Sequence, residues 1–150
     1  DAATEDVLRM HGRTSRFVHI ATHGYFRQDN PMFSSIRLGG SHLSLYDIYH
    51  LQLPAELVVL SGCATGLNVV TPGDELMGLV RGLFQSGAQS LVLSLWDVHD
   101  ESTKEFMIEF YTHLRHGESK SEALRSAMIE LRNRYPHPYY WAPFSLIGKG

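Results

Sequence analysis

One run, Leu57-Val58-Val59-Leu60, constrains the fold more than any other stretch of the chain, because it is apolar at every position. A half-buried strand alternates apolar and polar residues, and this run is continuous and of strand length. It suits a strand covered on both faces, as in a parallel sheet packed between helices. Its neighbours read compatibly. Arg16-Phe17-Val18-His19-Ile20-Ala21-Thr22 is rich enough in β-branched and aromatic residues for a strand, and it stops at His23-Gly24, where glycine permits a sharp exit. Ser90-Leu91-Val92-Leu93-Ser94-Leu95 reads as a further strand ending at Trp96-Asp97, and residues 141–148 as a short final one.

Helical patterns fill the intervals. Ser44 is placed to cap a short helix reaching Leu51. Asp74 is expected to cap a helix striped by Leu76, Leu79, Val80, Leu83 and Phe84 and closed by Gly87. Asp100 is expected to cap the next, striped by Thr103, Phe106, Met107, Phe110, Tyr111 and Leu114 and ended by Gly117. Ser119 and Glu122 have capping-box spacing for a last helix with Leu124, Ala127, Met128 and Leu131 on one face. Residues 25–40 read as a loop with a short strand at 36–38. Strands alternating with helices predict right-handed βαβ units and an α/β sandwich.

The length, 150 residues, is that of one domain, and 43 % hydrophobic with 19 % charged residues is a globular balance. The 13 Lys and Arg are scattered and the formal net charge is −3, so no basic stripe favours nucleic acid. No window approaches the ~20 apolar residues that span a bilayer, and the N-terminus lacks a signal-peptide pattern. A soluble, cytoplasmic protein is expected. The single cysteine, Cys63, excludes an internal disulfide framework and a cysteine-rich zinc site. The absence of an initiator Met suggests a piece of a longer protein.

Open parallel sheets gather function at the carboxyl ends of their strands. Three such ends carry His23, Cys63 and Asp97. If the first two strands are parallel neighbours, His23 and Cys63 emerge on one rim. An imidazole there can activate the thiol and later protonate a leaving amine. Gly24 and Cys63 can supply backbone N–H groups for an oxyanion hole, at roughly 3–4 kcal/mol per donor. A lone cysteine after an apolar strand is also a common core residue. The Ser61-Gly62 before it and Ala64-Thr65-Gly66 after it argue against a packed interior position.

His19-Ile20-Ala21-Thr22-His23-Gly24, Leu57 through Gly66, Gly73-Asp74-Glu75, Ser94-Leu95-Trp96-Asp97-Val98 and Tyr140-Trp141-Ala142-Pro143-Phe144 resemble, in order and spacing, the CHAT domain (caspase HetF associated with TPRs). The likeness runs from about Thr4 to Gly148. It implies a caspase-like three-layer α/β sandwich, with a mostly parallel central sheet flanked by helices and further strands ahead of the one ending at His23. It implies a His23–Cys63 dyad, oxyanion donors at Gly24 and Cys63, and a cysteine endopeptidase acting on a protein or peptide. The Trp96-Asp97-Val98-His99-Asp100 stretch is similar to a separase motif whose acid lines a pocket for a basic side chain. Asp97 and Asp100 are therefore the candidates for that pocket, which binds guanidinium through charge-assisted hydrogen bonds. The resemblance also implies that residues 1–150 form the C-terminal domain of a chain controlled by upstream TPR-like repeats. A non-catalytic scaffold that binds protein partners is the alternative.

The other histidines show no zinc-ligand spacing, and neither metal nor cofactor is expected. His19 reads as a satisfied core residue, and His113 and His116 as cationic groups near a helix C-terminus. Asp74 and Glu75 suit the first turn of a helix, Arg81 a solvated face, and Tyr139-Tyr140-Trp141 with Phe144 core packing.

Overall fold

The computed structural model describes residues 3–22, 24–25, 30–62 and 74–150, with the backbone alone at 31 and 74–76. Helix α1 (Glu5–His11) is capped by Thr4, whose hydroxyl accepts from the Val7 N–H. Strand β1 (Phe17–Ala21) follows. Then comes a small antiparallel sheet, β2 (Gly24–Tyr25), β3 (Ser35–Leu38) and β4 (Ser41–Ser44), with a 3₁₀ turn at Pro31–Phe33. Helix α2 (Leu45–Tyr49) leads to β5 (Leu57–Ser61), α3 (Asp74–Gln85) and β6 (Ser90–Ser94). The chain ends with α4 (Asp100–Arg115), α5 (Lys120–Arg134), the short α6 (Pro138–Trp141) and β7 (Phe144–Gly148).

The main sheet has the order β1-β5-β6-β7. Its first three strands are parallel and β7 runs antiparallel to β6. Every residue of β5 and β6 is buried, as the unbroken apolar run requires. One face packs Val58, Leu60, Leu91 and Leu93 against Leu79 and Leu83 of α3, with Val18 and Ile20 of β1 in the same cluster. The other packs Leu57, Val59 and Val92 against Phe106 and Phe110 of α4 and Leu131 of α5. The result is a mixed α/β sandwich with a mostly parallel sheet between helices, the arrangement of a caspase-like fold.

Local chemistry sets the helix starts. The Ser44 hydroxyl accepts from the Asp47 N–H at 3.1 Å while Asp47 accepts from the Ser44 N–H at 2.9 Å, closing a capping box. Ser119 and Glu122 do the same for α5. Gly87 and Gly117 take positive φ, 110° and 91°, where the chain turns back after α3 and α4.

Three expectations need correction. The N-cap of α4 is His99, not Asp100, and no side chain caps that end. Asp100 is instead the first helical residue, where a carboxylate still favours the free N–H groups. The span read as mostly loop, 25–40, holds a strand pair that β4 completes, because Gly39-Gly40 makes a two-residue hairpin turn. His19 is not a core residue: the burial pattern of β1 leaves Phe17, His19 and Ala21 exposed on the α4 side. Its ring nevertheless has a partner.

Candidate active site

The parallel register decides where the strands deliver their ends. Ala21 lies opposite Ser61, and the Thr22 N–H donates to the Ser61 carbonyl at 3.1 Å. Thr22 and Gly62 therefore leave β1 and β5 side by side on the carboxyl rim. His23 and Cys63 follow them directly in sequence and lie outside the described residues. Gly62 has φ of 96°, and a Cβ there would come within 3.0 Å of the Thr22 carbonyl oxygen, so the position takes glycine on both counts. Gly24, on the far side of His23, opens β2 opposite Ile36.

Beside this rim an open groove of about 660 Å³ runs between β1 and α4, lined by Ala21, Thr22, Gly62, Asp100, Met107 and Tyr111 among others. His19 also faces it, and its Nε2 lies 2.9 Å from the Ser61 hydroxyl. Desolvation of the ring lowers the His19 pKa below its ordinary value, which keeps it neutral at physiological pH. Tyr111 packs beside it with ring centroids 5.7 Å apart. Burial pushes the Tyr111 hydroxyl up to about 12, and that hydroxyl has no hydrogen-bond partner among the described residues.

The two pocket candidates occupy different settings. Asp97, just past the end of β6, has a carboxylate oxygen that is buried and without a hydrogen-bond partner among the described residues. Asp100 is exposed and lines the groove next to Thr22 and Gly62. An orphaned buried carboxylate oxygen is costly unless a donor reaches it.

Away from this rim, Glu109, His113 and Glu130 offer ligand atoms within 4.8 Å of one another. Arg134 already supplies a fixed cation there, 2.6 Å from Glu109 and 3.9 Å from Glu130. His113 is shared between Glu118 at 2.7 Å and Glu130 at 3.0 Å, so it ties α4 to α5 rather than merely answering a helix dipole. Sequence patterns missed the His19–Ser61 pair, although it follows from parallel pairing: side chains two residues apart share a face, and His19 sits opposite Val59.

A model of the CHAT domain family matches residues 1–149. The chain belongs to the CHAT domain family. It is similar to tetratricopeptide repeat protein 28 of Homo sapiens, 38 % identical over 108 residues, and to the protein of that name from Mus musculus, 36 % identical over 108 residues. Each alignment covers 71 % of this chain and 4 % of the relative, so the CHAT chain spans a small fraction of the curated relatives' length. The CHAT family is allied to caspase-like cysteine peptidases, and the relatives associate this domain with tetratricopeptide repeats. No helix among the described residues is long and apolar enough to cross a membrane.

Proposed function

We propose that this CHAT domain is a cysteine endopeptidase working through a His23–Cys63 dyad. The observation that carries this reading is the pairing of Ala21 with Ser61, which sends β1 and β5 out of the sheet as neighbours two residues before each member of the dyad. His23 takes the Cys63 thiol proton, and the sulfur attacks the scissile carbonyl carbon. The N–H groups of Cys63 and Gly24, the donors implied by family resemblance, stabilise the oxyanion. Collapse of the tetrahedral intermediate breaks the C–N bond, and His23 returns its proton to the leaving amine. Water, deprotonated by His23, then hydrolyses the thioester and frees the thiol.

The substrate class is a protein or peptide with Arg or Lys at the cleavage site. The Asp97 carboxylate oxygen that has no hydrogen-bond partner among the described residues supports it, since a guanidinium would supply donors. Asp100, on the groove wall, is the second candidate for the same contact. The domain acts in the cytoplasm, where a lone thiol stays reduced, as the C-terminal part of a longer protein under the control of tetratricopeptide repeats.

The test is an acyloxymethyl ketone bearing Arg at P1. It is expected to label Cys63 in the wild type and not in Cys63→Ala, with slower labelling in Asp97→Asn. A folded domain left unlabelled, with Cys63 still reactive toward iodoacetamide, overturns the peptidase reading in favour of a partner-binding scaffold.

A further inference from the structure

The α4 side of the main sheet is apolar along Leu57, Val59 and Val92, yet at the carboxyl rim it turns polar across three neighbouring strands. His19 of β1, Ser61 of β5 and Ser94 of β6 form that row. His19 Nε2 lies 2.9 Å from the Ser61 hydroxyl, and the Gly62 N–H donates to the Ser94 hydroxyl at 3.2 Å. The Thr22 N–H donates to the Ser61 carbonyl at 3.1 Å. The two residues that precede Cys63 are thus held from both flanking strands, by side chains as well as by main chain.

Ser61 is 5 % exposed and Ser94 1 % exposed. A buried hydroxyl costs free energy unless it is bonded, and apolar residues of similar size would fill the same layer without that cost. The hydroxyl bonds made here converge on Ser61 and Gly62, while Gly62 is fixed further by its left-handed φ and by the nearby Thr22 carbonyl. Adjacent buried residues of the same strands, Val59, Leu60, Val92 and Leu93, make no such contacts and need none.

We propose that His19 and Ser94 are positioning residues for Cys63: they brace Ser61 and Gly62 so that the chain enters position 63 in one direction. The proposal rests on the dyad reading above. Neutral His19 suits the role, since its ring keeps one nitrogen for the Ser61 hydroxyl. Neither residue touches the substrate's reacting atoms in this scheme; both act through the backbone that carries the nucleophile.

The test uses the whole 150-residue chain, whose single cysteine makes alkylation site-specific. Inactivation by the Arg-bearing acyloxymethyl ketone is resolved into kinact and KI for wild type, His19→Leu, His19→Gln and Ser94→Ala, with iodoacetamide as an undirected control. Displacing a reacting group by ~1 Å costs up to about a hundredfold, so kinact is expected to fall roughly ten- to a hundredfold in His19→Leu and Ser94→Ala. The iodoacetamide rate stays as in wild type, KI is unchanged in Ser94→Ala, whose side chain does not line the groove, and His19→Gln, whose amide still reaches Ser61, recovers part of the kinact loss. His19 stands on an exposed face, so its variants carry the test if Ser94→Ala fails to fold. An unchanged kinact overturns the brace and leaves the dyad standing. So does a fall matched by iodoacetamide, which would mean altered access to the thiol. A wild type that iodoacetamide labels and the directed reagent does not overturns the dyad, and the brace with it.

Discussion

Gly62 sits where the backbone requires the absence of a side chain. Its φ of 96° and the 3.0 Å approach of the Thr22 carbonyl oxygen penalise any Cβ. Gly62→Ala is expected to cost more than about 1 kcal/mol of stability, measured by urea denaturation, because alanine must be forced into a left-handed conformation. His113 carries a pH response. Its hydrogen bond to Glu118, then that to Glu130, raises its pKa above the ordinary 6.5. A raised histidine contributes stability in full below the unfolded value and loses it as pH rises through the folded one. His113→Gln should therefore be less stable than wild type at pH 6 and should converge on it at pH 8, with Arg134 beside Glu130 present in both proteins. Equal urea midpoint differences at the two pH values would contradict this.

At the scale of elements, caps and cores separate cleanly. Ser119→Ala removes the hydroxyl that holds the Glu122 N–H and is expected to cost about 1 kcal/mol in urea unfolding. Phe106→Ala, at a fully buried side chain stacked 4.2 Å from Phe144, is expected to cost about 3–5 kcal/mol in the same measurement. These elements were legible in the sequence because their signals are local: unbroken apolar runs for β5 and β6, a Ser-x-x-Glu box for α5. The small β2–β3–β4 sheet was not, since its strands are too short to show a period and β2 has only two residues. The cap of α4 was misplaced because Asp100 is as suited to the first turn as to the cap. Lys120 gave no sign of burial either. Its ammonium is satisfied by the Ser90 hydroxyl at 2.9 Å and the Lys149 carbonyl at 3.1 Å, partners that only the fold brings near. At the site, the strand-end rule located the β1 and β5 exits. The His19–Ser61–Ser94 row escaped it because it depends on pairing between strands remote in sequence.

For the molecule as a whole, protection should decrease outward from the middle of the sheet. β5 and β6 are covered on both faces, while β1 lies at the sheet edge and exposes alternate side chains. Native-state hydrogen exchange is expected to be slowest at Val58–Leu60 and Leu91–Leu93 and distinctly faster in the two-residue β2 and in α1, which buries no residue fully. Comparable rates in β6 and β2 would contradict that order.

A strand greasy on both faces gives a folding chain little means of telling the right alignment from one slipped by a residue, because each shifted side chain finds an equally oily environment. The serines at the strand ends supply the missing punctuation. A slip of β5 would part Ser61 from His19, and a slip of β6 would part Ser94 from the Gly62 amide and Ser90 from Lys120. Buried hydroxyls that look wasteful to packing thus act as alignment marks, penalising the mispaired sheets that an all-aliphatic version would tolerate.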